Sequence, residues 1–352
     1  MPRRPRTDIN APGISPTTGR PRMSDIARMA GVNVSTVSRA LSGSTLTNEE
    51  TRTRIIEIAT ALNYTVNAAG QSLRSGQTRT IGVVIPIDPI SQDHISDPFF
   101  LSLLGGIADA LTERGYDMLL SRIDAADLDA TGHLFDTGRT DGIILIGQWR
   151  HHERLNQIAA RGIPLIVWGA HLPYQKYATV GTDNALGGEL ATGHLLDLGA
   201  RRIAFLGDTE LPEYRLRHDG YMNAHAKRGL LVDPILSRPI PFVPDAVQKD
   251  VEAMLAQKIA FDGLFATSDV AAMTAIATLL RAGVRVPEDV IVAGYDDIGP
   301  AAYTHPSLTT IRQPMHEAGQ SLVASLMKQL EGKEASSVVL PTELVIREST
   351  RR

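Results

Sequence analysis

Hydrophobic and polar positions follow two different periods along the chain, and the change falls near residue 80. Between residues 23 and 62, apolar residues recur three and four positions apart, which predicts short amphipathic helices. From residue 81 onward, short apolar runs are separated by longer helical patterns. These runs are "TIGVVIP", "YDMLLS", "DGIILIG", "PLIVWG", "RIAFLG", "DGLFAT" and "DVIVAG". Such runs are typical of buried parallel strands joined by helices, so the sequence predicts a helical head and an α/β body.

The first two helices of the head lie in "MSDIARMAGVNVSTVSRAL". Ser24 is a candidate N-cap of the first helix, and Gly31 suits a turn that needs a positive φ. The second helix is expected over residues 34–41. Two helices joined by so short a turn cross closely, which explains the many small residues. A third helix is expected after Thr47, the first residue of a Thr-x-x-Glu capping box.

The outward face of the second helix has an unusual composition. It is expected to carry Val34, Ser35, Thr36, Ser38 and Arg39. Short hydroxyl side chains can reach base edges or phosphates, a valine can contact a thymine methyl group, and an arginine can bind guanine through two hydrogen bonds. The alternative is an ordinary three-helix bundle, but its water-facing side would normally carry Lys or Glu. The pattern therefore favours a helix-turn-helix domain that binds DNA.

The charge distribution changes the picture further. The chain has a formal net charge of −4, but residues 1–80 contain 11 Arg, no Lys and 5 acidic residues. A basic head on an acidic body is expected if only the head meets a polyanion, although a solvated basic tail is the alternative. The sequence has no Cys, no apolar run long enough to span a membrane and no secretory signal core. We therefore expect a soluble cytoplasmic protein without disulfides.

Two long segments resemble the lactose-repressor (LacI/GalR) family of bacterial transcription regulators. They are "MSDIARMAGVNVSTVSRALSG" and "TRTRIIEIATALNYTVNAAGQSLRSGQTRTIGVVIP", and the resemblance continues to the C-terminus. It implies three segments: a helix-turn-helix DNA-binding domain (23–66), a hinge helix or linker (67–79) and a two-lobed effector-binding and dimerisation domain (80–352). The basic arm before them (1–22) is rich in Arg, Pro and Gly, and we expect it to be disordered.

The body fold that the resemblance implies is that of the periplasmic sugar-binding proteins. The repeated strand–helix pattern alone suits two doubly wound α/β lobes better than one closed barrel but does not decide between them. The family pattern decides for two lobes with a ligand cleft between them. It also implies that the chain crosses between the lobes near Thr182, Thr310 and Ser336.

The resemblance assigns DNA-binding roles to the head and hinge. Residues matching Val34 and Ser35 read bases, the residue matching Arg39 contacts a guanine, and Thr51 matches a phosphate contact. The residue matching Leu73 wedges between central base pairs in the minor groove and kinks the duplex. The predicted DNA-binding residues are Ser24, Val34, Ser35, Thr36, Ser38, Arg39, Thr51, Asn67, Ala69, Gln71 and Leu73. Gly70 replaces the usual alanine and costs about 1 kcal/mol within a helix, so we expect a hinge that orders less readily.

Effector-binding candidates stand after the strands of the body, because ligands of such sheets bind beyond the carboxyl ends of the strands. Aromatic rings for stacking on a sugar and Arg or Asp for its hydroxyl groups are typical of a carbohydrate cleft. The predicted effector-binding residues are Phe99, Phe100, Trp168, Asp183, Arg217, Ser268 and Asp296. Arg217 and Asp296 match the family directly, whereas Ser268 replaces a common Asn and Asp269 is expected to be a helix N-cap. The long loop before Phe99 suggests a larger ligand, such as an oligosaccharide.

These observations predict a sequence-specific DNA-binding regulator whose operator binding is controlled by a small-molecule effector. We expect this regulator to be a repressor. The expected partners are a pseudo-palindromic operator, a carbohydrate and a second copy of the chain. The alternatives are a cytoplasmic sugar-binding protein whose head is an interaction module, and an activator of the same architecture. A sugar-metabolising enzyme is disfavoured because the sequence has no nucleophile elbow, P-loop or dinucleotide fingerprint. No cofactor and no metal site are expected.

Overall fold

Two compact units make up the chain, one up to Gly76 and the other from Gln77 onward. The computed structural model describes residues 21–42, 44, 46–64, 76–87, 95–241 and 243–351. Residues 1–20, 43, 45, 65–75, 88–94, 242 and 352 lie outside these described residues. None of the described helices is long and apolar enough to cross a lipid bilayer.

The first unit contains, in its described residues, α1 (Met23–Ala30), α2 (Val34–Leu41) and α3 (Glu49–Ala61). Gly31 ends α1 at a φ of 65°, as the turn requires. The small core is formed by Ile26, Ala27, Ala30, Val37, Ala40, Ile55 and Ala59. Because four of these seven residues are alanines, the helices can pack closely around it.

Two helix caps of the head differ from the predicted ones. Helix α1 begins at Met23, where the Asp25 carboxylate accepts the backbone N–H of Arg22 at 3.0 Å. Ser24 therefore lies exposed in the first turn and is not the N-cap. The sequence interpretation missed this arrangement because an acidic residue three positions into a helix can bind the free N–H groups as well as a serine can.

The cap of α3 lies one residue after the predicted one. The side chain of Asn48 accepts the backbone N–H of Thr51 at 2.8 Å, so Asn48, and not Thr47, is the N-cap. Thr47 is buried instead. Asn is at least as good a cap as Thr, and the two adjacent residues compete for the same free N–H groups.

The second unit consists of two α/β lobes. The chain first forms most of the first lobe, through β1 (Thr80–Ile87), α4 (Pro98–Thr112), β2 (Asp117–Asp124), α5 (Ala130–Asp136), β3 (Gly142–Ile146), α6 (His152–Ala159), β4 (Leu165–Trp168) and β5 (Ala178–Thr182). It then forms the second lobe, through α7 (Asn184–Asp197), β6 (Ile203–Leu206), α8 (Pro212–Ala226), β7 (Ser237–Arg238), α9 (Pro244–Ala256), β8 (Gly263–Ala266), α10 (Asp269–Arg281), β9 (Ile291–Asp296) and β10 (Thr309–Arg312). It ends with α11 (Met315–Leu330) and β11 (Val338–Leu340) in the first lobe and β12 (Glu343–Val345) in the second.

Each lobe is built around one sheet with six strands in the described residues. The order is β11-β5-β4-β3-β1-β2 in the first lobe and β12-β10-β9-β8-β6-β7 in the second. All neighbouring strands are parallel except β12, which runs antiparallel to β10. Short 3₁₀ segments occur at Pro234–Leu236, Gly299–Ala302 and Glu348–Thr350. The central strands are fully buried, in agreement with their continuous apolar runs.

The chain crosses between the two sheets three times in the described residues. The crossings follow Thr182 at the end of β5, Arg312 at the end of β10, and Leu340 at the end of β11. The third crossing therefore lies a few residues after Ser336. All three segments lie side by side because β5 and β11 are neighbours in one sheet while β10 and β12 are neighbours in the other.

Candidate functional site

A cavity of about 120 Å³ lies between the two lobes. The first lobe contributes an aromatic and apolar wall of Phe99, Phe100, Ile146, Gly147, Trp149 and Trp168. The second lobe contributes a wall that includes ionisable side chains. Its residues are Leu211, Glu213, Tyr214, Arg217 and Asp296. The structure thus brings together five of the seven predicted effector-binding residues.

The aromatic wall is built at the start of α4 and the end of β4. Asp97 caps α4 by accepting the backbone N–H of Phe99 at 2.8 Å, which fixes the helix start next to the cavity. The Phe99 ring centroid lies 5.5 Å from that of Phe100 and 6.3 Å from that of Trp168. Burial raises the pKa of Asp97. The three rings form one contiguous surface on which a sugar ring can stack.

Arg217 lies on α8 and is held from several sides. Its Nε donates to Asn184 Oδ1 at 2.8 Å, and its Nη1 donates to the carbonyl oxygen of Thr267. The guanidinium carbon lies 3.6 Å from the centroid of the Tyr295 ring. The side chain is almost fully buried, with 5% of its residue surface exposed. Such a rigid guanidinium is prepared to donate hydrogen bonds to a ligand in the cavity.

Two glycines allow α8 to approach α7 closely enough for this arrangement. A Cβ atom on Gly188 would overlap the carbonyl group of Arg217, and a Cβ atom on Gly220 would overlap the carbonyl oxygen of Ala185. The backbones of the two helices are therefore in direct contact. This contact sets the position of the Arg217 backbone at the edge of the cavity.

Asp296 connects the cavity to the segments that cross between the lobes. Its Oδ1 accepts from Gln313 Nε2 at 2.7 Å, and Gln313 Oε1 accepts from Thr182 Oγ1 at 2.7 Å. Arg217 Nη1 lies 4.0 Å from Asp296 Oδ1. Burial raises the pKa of Asp296 to about 7, against the Arg217 charge, which lowers it. The backbone of Asp296 has a φ of 120°, in the region that favours glycine, which indicates strain at this position.

Glu213 joins the two lobes across the cavity. Burial raises the pKa of the Glu213 carboxyl, while its own backbone N–H, the Arg217 charge and backbone hydrogen bonds from Gln148 and Ala170 lower it. Gln148 and Ala170 follow β3 and β4 of the first lobe, whereas Glu213 lies in the first turn of α8 of the second. A change in lobe geometry would therefore alter the contacts of the Glu213 carboxyl group with Gln148 and Ala170.

Two predicted effector-binding residues do not line the cavity. Asp183 is exposed and caps α7, with its carboxylate accepting the N–H of Leu186 at 2.9 Å. Ser268 is buried and caps α10, with its hydroxyl oxygen accepting the N–H of Ala271 at 3.2 Å. Both follow strands that end at the cleft, but the helix that starts there uses the side chain as a cap.

Asp269 also departs from its predicted role, because Ser268 is the N-cap and Asp269 is the first residue of α10. The Asp269 carboxylate accepts from Thr310 Oγ1 at 2.5 Å and from the N–H of Ile298 at 2.9 Å. Burial, together with the Asp296 charge, raises the pKa of Asp269 well above its ordinary value. This fully buried carboxyl links the start of α10 to Thr310 of β10 and to the segment after β9, and it does not line the cavity.

The sequence interpretation missed three residues of the cavity that carry useful chemistry. Trp149 follows β3, and the rule that ligands bind after strand ends would have found it. Glu213 and Tyr214 lie in the first turn of α8, three or four residues before Arg217 and therefore on the same helix face.

In the head, most of the predicted DNA-binding face of α2 is accessible. Val34 is 46% exposed, Ser35 and Arg39 are exposed, and Thr36 is half-buried. Ser38 is buried, with 8% of its surface exposed, so its placement on the outward face is wrong. On a helix it is adjacent to the buried side chains and is small enough to pack between helices.

The other predicted DNA contacts flank α2 or lie outside the described residues. Ser24 is exposed in the first turn of α1, and Thr51 is half-buried in the first turn of α3. The hinge positions Asn67, Ala69, Gln71 and Leu73, with Gly70, are outside the described residues.

Comparison with known proteins identifies both units. Residues 22–67 match the model of the bacterial regulatory proteins of the lacI family, and residues 192–350 match that of the periplasmic binding protein-like domain. The transcriptional regulator CelR of Thermobifida fusca is 30% identical over 336 residues, covering 94% of this chain and 98% of that protein. The transcriptional repressor CytR of Escherichia coli (strain K12) is 30% identical over 336 residues, covering 94% and 96%. A solved complex of CelR with cellobiose has a TM-score of 0.71 and 29% identity, covering 94% of this chain and 100% of that chain.

These similarities confirm the predicted fold class, a helix-turn-helix head joined to a two-lobed body. They overturn the alternatives of an activator and of a sugar-binding protein whose head serves as an interaction module, because the head matches a DNA-binding family and its relatives are regulators and repressors. The chain therefore belongs to the LacI family of bacterial regulatory proteins, as a DNA-binding transcriptional regulator of the repressor type.

Proposed function

We propose that a sugar bound in the interlobe cavity controls the affinity of this repressor for its operator. The observation that carries the proposal is the arrangement of the cavity, in which a wall of four aromatic residues faces Arg217 and Asp296. The aromatic rings can stack on the faces of a sugar ring, and the positive and acidic side chains opposite them can form hydrogen bonds with its hydroxyl groups. The relative CelR, which was solved with cellobiose, supports a carbohydrate as the ligand.

The DNA-binding surface that we propose is the accessible face of α2. Val34, Ser35 and Arg39 would contact base edges in the major groove, and Thr36 would contact a base or a phosphate. Ser24 and Thr51 would contact phosphates at the starts of α1 and α3, where helix N-termini favour anions. The hinge residues, Leu73 above all, would enter the minor groove. A homodimer would present two such heads to a pseudo-palindromic operator.

Sugar binding would reach the DNA through the segments that cross between the lobes. Asp296 in the cavity is hydrogen-bonded to Gln313, which is hydrogen-bonded to Thr182, and the last two lie on different crossing segments. A ligand that binds two lobe arrangements unequally shifts the population between them. We propose no enzymatic activity, since the relatives are transcriptional regulators and repressors. We expect the repressor in the cytoplasm, on the nucleoid when bound to its operator.

The experiment that tests this proposal uses tryptophan fluorescence. The chain contains two Trp residues, and both Trp149 and Trp168 line the cavity. The full-length protein is titrated with a panel of mono- and disaccharides, and DNA binding is followed in parallel by fluorescence anisotropy with a selected operator. A sugar that changes both signals at the same concentration supports the proposal, and the direction of the anisotropy change distinguishes induction from corepression. Sugars that change neither signal, or that bind without changing operator affinity, would contradict it.

A further inference from the structure

A second cavity, of about 260 Å³, lies between the same two lobes. Its first-lobe wall includes Trp149, Arg150 and His152, and its second-lobe wall includes Glu210 and Arg215. Trp149 also lines the first cavity, so the two spaces meet at this side chain. The start of α8 and the two residues before it (210–214) also contribute to both cavities.

The backbone at Trp149 is held in an unusual conformation. The φ of Trp149 is 50°, in the left-handed region. Gly147, two residues earlier, also has a positive φ, 94°. Bulky residues rarely adopt this conformation, and those that do cluster at ligand-binding positions. The indole ring lies against Gly147, with Nε1 3.5 Å from the position that a Cβ atom there would occupy. The turn after β3 thus directs a large aromatic ring to the boundary between the two cavities.

The second cavity differs chemically from the first. Its walls bring together guanidinium groups and a carboxylate, and His152 is fixed by Tyr177 and by the carbonyl oxygen of Pro173, at 2.9 and 3.1 Å. Arg150 reaches across the cleft to Asp208, with Nη2 2.5 Å from Oδ2. Such groups bind hydroxyl groups well but offer little stacking surface, so the stacking surface for a ligand here would be Trp149.

From this geometry we infer that the second cavity is the subsite for a second sugar unit, and that the effector is a disaccharide or longer oligosaccharide with Trp149 between its two units. The inference rests on the proposed function, because it assigns the first unit to the cavity of Arg217 and Asp296. The first unit stacks on the aromatic wall. The second unit binds Arg215 and Glu210 of the second lobe and Arg150 of the first, so that the ligand holds both lobes at the mouth of the cleft.

The test compares glucose with cellobiose and maltose by calorimetry on the full-length protein. The wild type should bind one of the disaccharides at least about tenfold more tightly than glucose. Arg215→Ala should remove most of this advantage while the affinity for glucose changes less than about twofold, because Arg215 lines only the second cavity. Trp149→Ala should also remove most of the advantage, and it should weaken glucose binding as well because its ring lines both cavities. Arg215 is exposed, so its variant does not depend on repacking. Trp149→Phe should restore part of the advantage because it keeps a stacking surface.

Tyr174→Ala is the matched control. Tyr174 is also an aromatic residue at positive φ, 59°, but it is 93% exposed and lines neither cavity. This variant should leave all affinities unchanged. Equal losses for glucose and the disaccharides in the Arg215 variant, or a disaccharide advantage that survives in both variants, would overturn the second subsite. A wild type that binds glucose as tightly as the disaccharides would also overturn it, whereas a wild type that binds none of the sugars would contradict the proposed function itself.

Discussion

Replacing Arg217 by Met should destabilise the body and remove sugar binding. The change keeps a long side chain but removes the charge that lies 4.0 Å from Asp296 and the donors to Asn184 and Thr267. Removing one partner of a buried ion pair typically costs about 3–5 kcal/mol. Because burial already raises the pKa of Asp296, the orphaned carboxyl can become neutral by taking up a proton. We therefore expect a loss near the lower end, about 3 kcal/mol in the free energy of unfolding.

The pH dependence provides an independent measure of the same carboxyl. The folded pKa of Asp296 is about 7, above its ordinary value of 3.8, so the folded state holds this proton more tightly than the unfolded state. The stability contributed by Asp296 is then fully present below about pH 4 and decreases by up to about 1.4 kcal/mol per unit as the pH rises to about 7. Asp296→Asn should match the wild type within about 1 kcal/mol near pH 4, where the carboxyl is still protonated in the folded state and partly protonated in the unfolded state and the amide resembles the protonated acid, and should show a smaller slope toward pH 7.

Urea unfolding followed by tryptophan fluorescence measures both effects, because both Trp residues lie in the body. The double variant Arg217→Met/Asp296→Asn should be more stable at about pH 7 than Arg217→Met alone, since no unpaired charge remains. The reasoning would be refuted by a loss below about 1 kcal/mol in Arg217→Met, or by the same pH slope in the wild type and in Asp296→Asn. An intact sugar affinity in Arg217→Met would remove Arg217 from the site.

Five further substitutions separate structural from functional roles. Ser268→Ala should lower the free energy of unfolding by about 1 kcal/mol through the lost cap, with sugar affinity unchanged in calorimetry. Gly188→Ala should destabilise the body by several kcal/mol in urea unfolding because the new Cβ atom has no space, whereas Gly105→Ala, in open space on a helix, should stabilise it by about 1 kcal/mol. Ser35→Ala should relax the base preference in binding-site selection without lowering the melting temperature of the head. Ser38→Ala, at a buried position, should lower that temperature and leave the preference intact.

The sequence predicts the fold well where apolar runs are long. Each of the seven quoted runs forms a parallel strand, from β1 to β9, and six of these strands are buried, since buried parallel strands need continuous apolar side chains. The prediction of a buried strand is wrong for β2, which lies at the edge of its sheet and has no buried residue. The strands that were missed are β5, β7, β10, β11 and β12, which have two to five residues and include several polar ones. Their pairing depends on neighbouring strands, which a local pattern does not contain.

The sequence predicts that the site lies at the ends of the strands, but it does not predict the direction in which each side chain points. Trp168 and Asp296 follow the rule and line the cavity. Asp183 and Ser268 occupy equivalent positions, yet each side chain turns back to cap its helix. Ligand binding and helix capping both need a short polar residue at a strand end, so the sequence does not distinguish these two roles. Ser38 was misplaced for a related reason, because the width of a buried helix face depends on how closely its neighbours pack.

Selection of bound duplexes from a random DNA library, at about 0.1 M salt to weaken phosphate attraction, decides whether the head reads sequence. Sugars are included in one arm of the selection to supply any corepressor. The wild type should retain duplexes that share a palindrome, and Arg39→Ala should lose the preference at one base pair of each half-site, at a cost of about 1–3 kcal/mol. Arg28→Ala is the control, because it removes one positive charge from the head just as Arg39→Ala does. Arg28 is exposed on α1, and its Nη2 lies 3.1 Å from Asp25 Oδ1. The control substitution should weaken binding uniformly and keep the palindrome. Retained DNA without a shared motif, or identical effects of the two substitutions, would contradict recognition by α2.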